Sequence, residues 1–180
     1  MSVLHCILAF LTIPGAYLHA FWEHILLKIL RVPVEDDAYL QRNELCGHVE
    51  HKPILSLGSG LVFCFVPALL SAVIAAPMLW AGFLFLREWG VTLRSIETGG
   101  VSALFLVSVL FVYIGFSIVC NLFPAYEDAL FLCETWREKG AAVRIAAAIP
   151  VWIMRVCALL ARFGVWHAAA AAAILCRIFI

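Results

Sequence analysis

Charge is scarce in this chain. Asp, Glu, Lys and Arg make up 13% of its 180 residues, with twelve of each sign and no formal net charge. A soluble domain carries about a quarter charged residues. A chain of zero net charge also lacks the positive excess that a nucleic-acid partner calls for. Cysteine is present but unpatterned. The seven residues at 6, 46, 64, 120, 133, 157 and 176 form no CxxC pair, are odd in number and lie mostly in apolar runs. Cys there behaves as a small hydrophobe, and no disulfide framework is expected. The apolar N-terminus has neither a basic leading segment nor an Ala-x-Ala site, so it reads as a retained helix rather than a removed signal. No internal repeat is visible.

What remains is oil. Hydrophobic residues make up 65% of the chain, and the mean hydropathy is +1.04. The expected fold class is all-α, a multi-pass transmembrane helical bundle with kinked helices. It is expected to form a single integral membrane domain over 1–180, with a core at 2–135 and C-terminal amphipathic and apolar helices at 141–180. Three spans are well marked, and one or two more are expected. Residues 2–30 form the first, longer than the roughly 30 Å hydrocarbon core at about 1.5 Å per residue; Pro14-Gly15 is expected to kink or break it. Residues 54–86 hold Pro67 and Pro77 and suit a bent helix, or a span plus a re-entrant turn. Residues 101–123 form the third.

The connections are polar. Residues 31–53 read as a loop, with room for a short hairpin, and Arg87 to Gly100 as a second connection. Pro124 to Arg144 is expected to become helical after Asp128. Arg137, Arg144, Arg155 and Arg162 are spaced seven, eleven and seven apart. On one helix they would fall within about 20° of one stripe, fit for the headgroup plane or a fourth span. Lys and Arg counts place loops 31–53 and 124–144 on the cytoplasmic side of a cell membrane. Tryptophans near the span ends read as an interfacial belt.

Ionisable side chains at membrane depth are expensive and mark functional candidates. His19 and Glu23 are one helical turn apart and share a face, while His24 is turned about 140° aside. Asp128 closes the stretch Asn121-Leu122-Phe123-Pro124-Ala125-Tyr126-Glu127-Asp128. An imidazole and a carboxylate one turn apart can ligate zinc, with Asp128 from another helix as a third ligand. The same groups can instead hydrogen-bond one another without metal. Cys46, His48 and His51 form a second cluster, Cys-x-His-x-x-His, read first as a solvated loop; in a second reading His48 or His51 reaches the pocket. His5 and His167 read as packed histidines, and Glu127 and Glu134 as a wet helix face.

Pro14-Gly15-Ala16-Tyr17-Leu18-His19, Gly47-His48-Val49-Glu50-His51 and Asn121-x-x-Pro124-x-x-x-Asp128 occur in that order. Together they resemble the membrane zinc metallopeptidases of the site-2 protease kind, over roughly residues 10 to 135. Those carry Pro-Gly-x-x-x-His-Glu-x-x-His in the first core helix and take a third zinc ligand from an Asn…Pro…Asp element. The resemblance implies a metallopeptidase-like core. It implies zinc held by His19, Glu23 and Asp128, with His24, His48 and His51 as secondary candidates and Glu23 as the catalytic candidate. The motif itself is degenerate. Ala20 stands where the general base belongs, Glu23 where the second histidine belongs, and Ala129 follows Asp128 where the family has glycine. The leading expectation is therefore a catalytically inactive or vestigial membrane protein, partnered by the lipid bilayer and by a membrane protein or peptide. An active intramembrane zinc endopeptidase with altered ligands is one alternative, and a small ion- or proton-handling protein is another.

Overall fold

The computed structural model describes residues 7–8, 10–36, 39, 49–88 and 103–179. Among these are six helices and one small sheet, in the order α1 (Ile13–Leu30), β1 (Val34–Asp36), β2 (Glu50–His51), α2 (Leu57–Glu88), α3 (Ala103–Cys120), α4 (Tyr126–Arg137), α5 (Ala141–Arg162) and α6 (Val165–Phe179). Cys46, His48 and His5 lie outside the described residues.

Proline sets the start of α1. Pro14 occupies its first turn, where a missing N–H costs nothing because first-turn donors have no intrahelical acceptor. Ile7, Leu8, Phe10 and Leu11 are also helical and Thr12 interrupts the helix, so the expected break falls at the start of α1. Gly15 then lets α1 touch α3. A Cβ at Gly15 would overlap the Ser117 carbonyl, so a bulkier residue would force the two helices apart. The Gly15 N–H donates to Ser117 Oγ at 2.7 Å, and Ser117 Oγ donates to the Thr12 carbonyl at 2.9 Å. Asn121 Nδ2 donates to Thr12 Oγ1 at 2.9 Å and to the Ser117 carbonyl at 2.8 Å. The cap of α1 is thus supplied largely by another helix. At the other end Arg31, at φ 56°, turns the chain out of α1 while Val32 N–H donates to the Leu27 carbonyl, closing the helix as a Schellman motif.

The turned-out chain forms β1, which pairs antiparallel with β2. Val34 faces His51 and Asp36 faces Glu50, with an irregularity between them. The hairpin expected in loop 31–53 is present. It lies over a core that includes Leu27, Val49, Phe63, Leu132 and Val151.

Helix α2 runs unbroken for 32 residues through Pro67 and Pro77, about 48 Å at 1.5 Å per residue. It packs along α3, where Gly82 lies against Val112 and Ser108, and Gly115 against Leu79. Such small residues let helix backbones approach closely. The outer face of α2 is apolar and bare, with Leu69 62%, Val73 71% and Trp80 70% exposed. Among the described residues, two helices are long and apolar enough to cross a membrane, Leu57–Leu86 and Ala141–Arg162. The expected first and third spans extend beyond the described residues. Helix α1 carries Glu23 and Lys28, and the apolar part of α3, Phe105–Cys120, is shorter.

Two further expectations need correction. Helix α4 starts at Tyr126, so Asp128 lies inside its first turn rather than before it. A carboxylate is favoured there by the helix dipole. The four-arginine stripe does not form on one helix, because Glu138 to Gly140 separate α4 from α5. Arg155 stacks over Trp152 at 5.2 Å and Arg162 over Tyr126 at 4.8 Å. Helix α5 buries Ala147, Val151, Met154 and Ala158, a stripe at helical spacing, and packs on α4, where burial pushes the Cys133 thiol up from its usual value. Gly164, at φ 71°, separates α5 from α6. Trp166 and Trp136 are not simple belt residues. Trp166 Nε1 donates to the Val119 carbonyl at 2.7 Å, and Trp136 Nε1 to the Arg144 carbonyl at 2.9 Å.

Replacing Gly15 by Ala should destabilise the protein by about 3 kcal/mol, because its new methyl meets backbone that cannot rotate away. Gly60→Ala meets only the Leu132 Cδ1 at 3.1 Å and should change stability by no more than about 1 kcal/mol. Thermal unfolding of the two variants in a maltoside detergent reads the difference directly. Equal midpoints would show that the Gly15 contact is dispensable.

Candidate functional site

The site begins on α1. His19 and Glu23 lie one turn apart on its buried face, and their side chains meet, with His19 Nε2 3.1 Å from Glu23 Oε1. The residue Glu23 is 0% exposed. A buried carboxylate must have its oxygens satisfied, and the second, Oε2, accepts the Val49 N–H at 3.2 Å. Val49 immediately precedes β2, so Glu23 ties α1 to the hairpin. His24 points elsewhere and meets the Tyr39 hydroxyl at 2.9 Å, as the helical angle predicts.

The hairpin brings a second pair. His51 Nε2 lies 3.4 Å from Asp128 Oδ1, with side chains 6% and 10% exposed. The His51 ring also packs edge-on against Phe63 at 4.9 Å between centroids. The solvated-loop reading therefore fails for His51, which reaches inward as the second reading had it. Cys64, one residue on from Phe63, lies within electrostatic reach of both Glu23 and Asp128. Four chain segments thus converge, namely α1, β2, the start of α2 and the first turn of α4.

A half-open cavity of about 220 Å³ lies beside the second pair. Asp128, His51 and Cys64 line it, as do Glu35, Glu50 and Glu127. Ile54, Phe63, Phe131 and Leu132 supply its apolar surface. Glu127 is exposed, as a wet helix face requires, and so is Glu35.

The sequence-derived candidates are thus brought together as two pairs, His19 with Glu23 and His51 with Asp128. His19, Glu23 and Asp128 do not form one donor set. Among the described residues no three His, Cys, Asp or Glu side chains form a group that could hold a metal. His19 Nδ1 is buried without a hydrogen-bond partner, so one ligating atom is open. Both Glu23 oxygens, however, are already engaged. Among the described residues, these donors do not by themselves complete a zinc site. Two participants carry no signal in residue type. Val49 contributes only a backbone N–H, and Cys64 reads as one more apolar-run cysteine. Ser117, which caps α1, is likewise one serine among apolar neighbours.

Comparison with known proteins returns no matching family model, no matching curated protein and no matching solved structure.

Removing the Glu23 carboxylate should destabilise the protein strongly. Glu23→Ala strands the His19 ring and the Val49 N–H in the interior, at about 1–3 kcal/mol for each unsatisfied group. Glu23→Gln keeps an acceptor for Val49 and can donate to His19 once the ring changes tautomer, so its loss should be less than half as large. Chemical denaturation of both variants checks the order; an equal loss would mean that the negative charge itself matters more than the two hydrogen bonds.

Proposed function

We propose that this chain is a multi-pass membrane protein whose site-2-protease-like core holds a partner polypeptide without hydrolysing it. Its loops 31–53 and 124–144 face the cytoplasm in this reading. The observation that carries it is the state of Glu23. Metal-assisted hydrolysis needs a group that takes a proton from metal-bound water. Ala20, at the position where the resemblance puts that base, has no such group. Glu23, the nearest carboxylate along α1, spends one oxygen on His19 and the other on the Val49 N–H. A base must be within reach of the water it deprotonates, and Glu23 is 0% exposed.

Glu23 in this reading is a tether. It replaces a catalytic role with a structural one, fixing the hairpin to α1 so that β2 and its His51 sit over α2 and α4. The cavity beside them remains open. The bare apolar faces of α2 and α5 support the membrane part of the reading, since a surface of that hydropathy is stable against hydrocarbon.

The test is hydrolysis itself. Reconstituted in liposomes with a fluorogenic transmembrane peptide, wild type and Glu23→Ala should both stay at the rate of protein-free liposomes. Chelator-sensitive cleavage by wild type that disappears in Glu23→Ala would replace this reading with that of an intramembrane zinc endopeptidase.

A further inference from the structure

The cavity beside His51 and Asp128 has a one-sided chemistry. Among the described residues, Glu35, Glu50, Glu127 and Asp128 line it together with His51, and no lysine or arginine does. Phe63 and Phe131 give it aromatic walls. Its volume of about 220 Å³ is below the roughly 300–1,000 Å³ of pockets that take a whole small-molecule ligand. It suits one long side chain entering from the surface.

We propose that this cavity receives a lysine or arginine side chain of the partner polypeptide. The inference rests on the partner-holding reading above and names what that partner must present. Charge complementarity selects the head group, because carboxylates of one sign brought to one concavity raise the local concentration of cations and repel anions. The apolar walls select the stem. Lysine and arginine lay their methylenes along apolar surface while the charged end seeks polar company. An aromatic face near the head group adds cation–π attraction. Asp128 suits the inner end of the cavity, because it is largely buried, held by His51 and placed in the first turn of α4. Glu35 and Glu127, both exposed, form the entrance that a side chain meets first. The partner's charge thus enters through a solvated rim and ends against a preorganised acid, which lowers the cost of desolvating it.

The experiment uses the full chain in a maltoside detergent, whose head group carries no charge. The probes are two end-blocked, fluorescently labelled pentapeptides, Ala-Leu-Lys-Leu-Ala and its twin with norleucine in place of lysine. Anisotropy should show the lysine peptide binding at least about tenfold more tightly, with the preference shrinking as salt rises. The double variant Glu50→Gln/Glu127→Gln should lose the preference while unfolding at the wild-type temperature. A milder second variant, Glu127→Gln alone, should weaken it in part and keeps the test valid if the double variant misfolds. Equal affinity for the two peptides would overturn the proposal. So would loss of lysine-peptide binding on adding chelator, which would point to a bound metal cation. Competition by n-butylamine as strong as by the lysine peptide would also overturn it, in favour of a free-amine site. Cleavage of the lysine peptide would instead remove the non-catalytic reading and leave the cation preference standing.

Discussion

The contact between Gly15 and Ser117 is the constraint on which the arrangement depends. Two helix backbones come so close there that no side chain fits at position 15. The approach matters beyond packing, because it lets a serine of α3 cap the first turn of α1. Thr12, Gly15, Ser117 and Asn121 form one hydrogen-bonded junction. Its polar groups are buried in an otherwise apolar setting, where unmet donors are costly. The junction therefore sets both the start of α1 and its position against α3. Every residue further along α1 inherits that placement.

His19 and Glu23 lie one and two turns beyond the junction, on the buried face. Glu23 extends the order to the hairpin by accepting the Val49 N–H, and the hairpin carries it on through His51 to Asp128 on α4. The polar interior is thus a relay of short links: α3 to α1, α1 to β2, and β2 to α4. The first two links satisfy buried donors, and the third sets His51 Nε2 3.4 Å from Asp128 Oδ1. Such a chain of dependencies explains why a mostly featureless sequence can hold a defined site. It also places two carboxylates near the thiol of Cys64, in a region shielded from water on one side and open through the cavity on the other.

The resemblance in the first helix and the geometry around Glu23 bear on each other. Under the proposed resemblance, alanine stands where the base belongs and glutamate where the second histidine belongs. The fold uses that carboxylate as a tether between helix and hairpin. A pocket shaped for chemistry and a pocket shaped for holding share most of their construction, since both need a preorganised polar wall and an apolar floor.

Much of the local structure could be read along the chain. Apolar runs mark α2 and α3, Pro14-Gly15 marks the start of α1, and spacing by four residues puts His19 beside Glu23 while turning His24 away. Those features depend on neighbours within a turn or two, so residue type and order carry them. Span lengths were less legible: α1 has charges inside it, and α5 meets the length and hydropathy of a span that the arginine spacing left open. The junction at Ser117, the Val49 link and the meeting of His51 with Asp128 were not legible in the same way. They join groups separated by 26 to 109 positions, and one partner in two of the three is a backbone amide that every non-proline residue possesses. Periodicity therefore identified the acid and the imidazole on α1, whereas three-dimensional packing assigned them a structural partner, because burial leaves a charged oxygen no choice but the nearest donor.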